Sequence, residues 1–142
     1  YSPGYSQQTG LFYVTSFDGE QEFFKRDEEY EVGERFTGGG GSYKQPMDAF
    51  HSSIRAINPV TAEIEWEFPI MPRSSAGITT TAGGLVFTGS ADGYFFALDA
   101  ATGEVLYEIP VPDPEVHGLT YHDGALLFCC DPSRRVCRIE IS

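Results

Sequence analysis

Residues 77–87 return as residues 118–128, a shift of 41 that keeps Gly77 with Gly118, Thr79 with Thr120 and Phe87 with Phe128. The same shift of 41 carries residues 56–66 onto 97–107, with Ala56 on Ala97, Asn58 on Asp99, Thr61 on Thr102, Glu63 on Glu104 and Trp66 on Tyr107. A third match sets residues 10–19 against 84–93 at a shift of 74, which leaves 33 extra residues, 20–52, as an insertion. A period near 40 means one supersecondary unit per repeat, and such units bury their apolar faces only by stacking on neighbours. With about four short strands per unit, the pattern is that of a β-propeller blade.

The second repeat supplies the strand plan: strand A at 77–82, B at 84–90, C at 94–99 and D at 104–110. Asp92-Gly93 reads as the tight two-residue hairpin turn between B and C, because glycine accepts a positive φ there. In the first repeat, A falls at 1–8, B at 10–16, C at 53–58 and D at 63–69; in the third, A falls at 118–122, B at 125–131 and C at 135–141. The fold class is therefore all-β, a partial β-propeller of about three four-stranded antiparallel blades whose last blade lacks its outer strand. Blade one is 1–70 with its insertion, blade two 77–110 and blade three 117–142. Composition agrees: 16 Gly, 9 Pro and 14% aromatics suit short strands and turns rather than long helices. Closed propellers have four to eight blades. The chain is thus expected to be an open arc, completed by further blades of a longer chain, a partner subunit or homo-oligomerisation. Its start at Tyr1 rather than Met fits a processed chain or a piece of something longer.

A net charge of −12 argues against nucleic acid and anionic lipid surfaces, which require clustered Lys and Arg. No apolar run reaches the length of a membrane span, and no basic-then-apolar leader opens the chain. Residues 18–35, at the start of the insertion, carry eight acids, followed by four glycines at 38–41, and the insertion shows no 3.6-residue apolar period. It reads as a long acidic surface loop, solvated or contact-making.

The eleven-residue motif at 56–66 and 97–107 resembles the tryptophan-docking motif of the quinoprotein alcohol dehydrogenases, enzymes that use pyrroloquinoline quinone (PQQ). The flanks are similar as well: Gln8-Thr9-Gly10-Leu11-Phe12-Tyr13-Val14 to the family's strand entry, and Ala76-Gly77 through Gly89 with Phe95 to Ala100 to its inner strands. The resemblance covers residues 1–110 best. It implies a structural role for Ala56, Asn58, Trp66, Ala97, Asp99, Gly103 and Tyr107. Asn58 and Asp99 bond their turns, and the aromatic stacks on the neighbouring blade where alanine leaves room. Ala62 stands where the motif has Gly, and Tyr107 where it has Trp.

The resemblance further implies hydride transfer from a small alcohol or sugar to PQQ, with Ca2+ or a lanthanide beside the cofactor in the complete assembly, and a periplasmic or secreted location. The family's metal ligands and catalytic base belong to blades this chain does not match, so no catalytic or metal residue is assigned, and this segment is expected to supply wall blades. The candidate cofactor-binding residues are Ser75, Gly77, His117, Cys129 and Cys130. Ser75 precedes Ala76-Gly77 where the family has Trp; it also fits as a simple start of strand A. Cys129-Cys130-Asp131 repeats the letters of the family's adjacent-cysteine disulfide, which packs on PQQ. Adjacent strand residues face opposite ways, however, and a turn at Pro132-Ser133 puts Cys137 diagonally across from Cys130 on one face, so a 130–137 contact competes with it. With 3 Cys, one thiol is left over in either case. His117 opens an inner strand, His122 precedes the Asp123-Gly124 turn and His51 lies in the insertion; none has metal-ligand spacing. No phosphate loop or nucleophile elbow is present. The alternative reading is a non-catalytic scaffold of the same repeat class, binding protein partners through blade faces and the insertion.

Overall fold

The computed structural model describes residues 2–44, 46, 49–71, 74–111, 116–130 and 134–140. Every regular element among them is a strand. β1 (Gly4–Tyr5), β2 (Phe12–Asp18), β5 (His51–Ile57) and β6 (Ile64–Pro69) form one antiparallel sheet in that order. β7 (Thr79–Thr80), β8 (Leu85–Gly89), β9 (Tyr94–Asp99) and β10 (Val105–Pro110) form a second, and β11 (Val116–His122), β12 (Ala125–Cys130) and β13 (Arg135–Glu140) a third. The expected all-β architecture of four, four and three strands is the one observed.

Alternation decides which side of each strand is buried. In β5, Ser52, Ile54 and Ala56 face the second sheet, and in β9 Phe96 and Leu98 face back. Tyr13, Ile54, Ala56, Val86 and Leu98 make the first inter-sheet core, each fully buried. Phe87, Phe95, Ala97, Leu126 and Phe128 make the second, between sheets two and three. Motif alanines sit at the centre of cross-strand rows. Ala56 lies between Tyr13 and Trp66, and Ala97 between Phe87 and Tyr107. A larger side chain there would part the two rings, whose centroids in the first row are 5.6 Å apart.

Two local details differ from the sequence reading. The B–C connection of the second sheet is a three-residue loop, 91–93, in which Gly93 alone has positive φ (+91°), closed by a bond from Ser90 N to Tyr94 O of 2.8 Å. The insertion, read as a loop, contains a hairpin, β3 (Gln21–Lys25) paired with β4 (Gly39–Tyr43). Glycine has no side chain to alternate, so β4 leaves no pattern to read. Here its bareness is used: a Cβ on Gly40 would lie 2.7 Å from the Phe24 ring, which covers it.

Candidate functional site

The first seam, between sheets one and two, is the most specifically built place in the chain. Asn58 and Asp99 shape equivalent turns. The Asn58 Oδ1 accepts bonds from the amides of Val60 (3.0 Å) and Thr61 (3.3 Å), and the Asp99 Oδ1 from those of Ala101 and Thr102 (2.9 Å each). The amide of Thr102, then its hydroxyl, holds the Asp99 carboxyl below the usual range. This turn presents Ala100 and Gly103 to the sheet before it. Trp66 Nε1 donates to Ala100 O at 3.0 Å, and its indole covers Gly103 so closely that a Cβ there would stand 2.7 Å from the ring. The buried Tyr13 hydroxyl donates to the same carbonyl at 2.9 Å and meets Thr9 Oγ1 at 2.7 Å. Burial pushes the Tyr13 phenol up. Ile78 N to Ser2 O (2.9 Å) and Thr80 Oγ1 to Tyr5 O (2.8 Å) join the inner strands.

The second seam has the same plan with fewer polar anchors. Phe87 takes the place of Tyr13 and brings no hydroxyl; Tyr107 takes that of Trp66 and is 66% exposed. Thr79 Oγ1 donates across it to Leu119 O (3.1 Å), and its core is apolar: Phe95 stacks with Phe87 (5.7 Å) and Phe128 (6.0 Å), and Gly89 receives Val116.

Arg55 organises a charged cluster on the other face of sheet one. Its guanidinium bonds Asp18 Oδ2 (2.5 Å) and Glu67 Oε1 (3.4 Å), while His51 Nε2 lies 2.6 Å from the same Glu67 oxygen. The Ser53 hydroxyl, then His51, lowers the Glu67 carboxyl to about 2. Beside it, Phe17, Tyr43 and Phe50 pack ring to ring (4.6–6.1 Å) and tie the hairpin to the sheet. Neither group was foreseen. The alternation of His51, Ser53 and Arg55 against Ser52, Ile54 and Ala56 was the available signal.

Of the five cofactor candidates, Ser75 and Gly77 precede β7 of sheet two, and His117, Cys129 and Cys130 divide between the two faces of sheet three. His117 pairs directly with Cys129, so these share the outer face, with Cys129 exposed. Cys130 is buried on the opposite face with Ala76, Val116 and Phe128. Gly77 is buried on that inner side, its Cα side 3.6 Å from Ser2 by an imagined Cβ and 3.7 Å from Leu119 N, ordinary contact rather than a cradle. Ser75 is half-buried two residues before it. Asp131 and the expected turn at Pro132-Ser133 lie outside the described residues. PQQ is a planar tricarboxylate that calls for converging cations and flat walls, and these five residues do not converge. Among the described residues, no group of three His, Cys, Asp or Glu is placed to hold a metal ion. The residues present therefore do not fit a PQQ–metal site by themselves.

A family profile described as outer membrane protein assembly factor BamB matches residues 51–142. The chain belongs to this PQQ-repeat family. Curated relatives of this PQQ-repeat chain include quinoprotein alcohol dehydrogenases. A quinoprotein ethanol dehydrogenase of Pseudomonas aeruginosa is 39% identical over 104 residues, 73% of this chain and 17% of that protein. A lanthanide-dependent methanol dehydrogenase of Methylacidiphilum fumariolicum is 31% identical over 111 residues, 73% of this chain and 18% of the relative. Among solved structures, the quinohemoprotein alcohol dehydrogenase ADHIIG of Pseudomonas putida HK5 superposes with a TM-score of 0.71 at 26% identity, covering 91% of this chain and 21% of that one. The PQQ-repeat chain thus spans about a fifth of the length of the relatives it matches.

Proposed function

We propose that this chain is the propeller segment of a PQQ-dependent alcohol or sugar dehydrogenase, in which a hydride passes from the alcohol to PQQ, and that it supplies wall blades rather than the catalytic base. The observation that carries this reading is the first seam: Trp66 seated on Gly103 and bonded to Ala100 O. We assign that contact to the tryptophan-docking interaction by which such rings close. On this reading sheets one to three are consecutive blades (1–70 with the insertion 20–52, 77–110 and 117–142), the remaining blades come from a longer chain, a partner subunit or further copies of this one, and the protein is periplasmic or secreted. PQQ with Ca2+ or a lanthanide would sit on the ring axis. Ser75, Gly77 and His117, on or before inner strands, are the positions of this chain nearest to it.

The test is dye-linked alcohol oxidation by the complete protein, supplied with PQQ and either Ca2+ or a lanthanide. PQQ-dependent turnover is expected. Absence of both bound quinone and turnover in the intact assembly would overturn the reading.

A scaffold role is the second reading, favoured by the insertion. Phe23, Tyr30 and Val32 are 78%, 62% and 92% exposed there, beside a run of acids. Deleting residues 20–52 should then abolish partner capture while the three sheets still fold; an unchanged set of partners would count against it.

A further inference from the structure

The three cysteines are not equivalent, and the geometry singles out one pair. In the β12–β13 ladder, Phe128 pairs with Cys137 and Cys130 with Arg135, so Cys130 and Cys137 are diagonal neighbours on the same face. Their sulfurs lie 3.4 Å apart. Cys129 pairs with Val136 and points to the opposite, exposed face. Residues one apart on a flat strand cannot bring their sulfurs together without breaking the pleat, whereas this diagonal pair already holds its sulfurs 3.4 Å apart, and closing the bond draws β12 and β13 together at that point. Cys137 is half-buried and can be reached from solvent; Cys130 is buried behind it against Val116 and Phe128.

We propose that Cys130 and Cys137 are a thiol pair built to be oxidised by a small-molecule disulfide, closing a cross-strand bridge between β12 and β13 and leaving Cys129 free. The Cys137 thiolate attacks one sulfur of the oxidant and releases the first small thiolate, forming a mixed disulfide. The Cys130 thiolate then attacks the Cys137 sulfur and releases the second. The protein loses two protons and two electrons, and the oxidant leaves as two thiols carrying those protons. The bridge staples β13, the edge strand of the third sheet, to its only neighbour among the described residues. This sheet adjoins the seam that lacks the Trp66 and Tyr13 anchors. The proposal is independent of cofactor binding.

Sequence between the two sulfurs makes the test decisive, because Arg134 and Arg135 separate them. The full chain is incubated with oxidised glutathione, alkylated and cleaved with trypsin. Alkylatable thiols should fall from three to one, Cys129, and two tryptic peptides should stay joined through Cys130 and Cys137 until reduced. A bridge confined to one peptide, linking Cys129 to Cys130, would overturn the proposal. So would glutathione stably attached to Cys137, or no loss of thiols. Cys129→Ser should keep the crosslink. Cys137→Ser should abolish it and leave two alkylatable thiols, with far-UV circular dichroism confirming the fold; a crosslink surviving in that variant counts against the pair.

Discussion

Ala62 and Gly103 hold the same place in two equivalent turns, and both have a left-handed backbone, φ +61° and +75°. Alanine is strained there and glycine is not. Ala62→Gly should therefore stabilise the chain by about 0.5–1 kcal/mol, after the greater freedom glycine gains on unfolding is set against it. The reverse change has a second cost, because the added methyl of Gly103→Ala meets the Trp66 indole at 2.7 Å. A loss of about 2–3 kcal/mol is expected from strain and overpacking together. Urea unfolding of both variants measures the two signs. Glu67 gives a third residue-level expectation. Its carboxyl titrates near 2 instead of the ordinary 4.5, so what it adds to stability is complete above 4.5 and disappears as pH falls through about 2. The melting temperature of Glu67→Gln should lie below that of the parent at pH 6, and the gap should close by pH 2.

Strands and turns were readable wherever side chains alternate or repeat. The 41-residue shift aligns β8 with β12 and β5 with β9 from the sequence itself. It failed in the insertion, where β4 is largely glycine and its partner β3 is exposed along its whole length. That hairpin is held at its base by Phe50, which is 4% exposed and lies within reach of Gly19, Phe17 and Tyr43. Phe50→Ala removes the ring on which the other two rest. Amide exchange in β3 and β4 should accelerate at least tenfold, while β8 and β9 keep their protection. Equal acceleration in the second sheet would show that the hairpin is not an independent element.

The repeat made the stack of sheets legible but left the candidate site mostly unread. A propeller's chemistry converges on its axis from several blades, and the chain spans 17% of the ethanol dehydrogenase it matches. Cys129 and Cys130 show the limit at small scale: two neighbouring letters, set on opposite faces by the strand between them. Stacking also gives the molecule unequal joints, one with two hydrogen bonds to Ala100 O and one whose core is apolar. Trp66 is the only tryptophan of the 142 residues, and it rests on the stronger joint. The protein therefore carries its own optical reporter, blind to the third sheet. Indole emission follows the parting of sheets one and two, whereas ellipticity follows every strand. On heating, ellipticity should begin to fall before the emission shifts, and the interval between the two curves measures how far the third sheet melts alone.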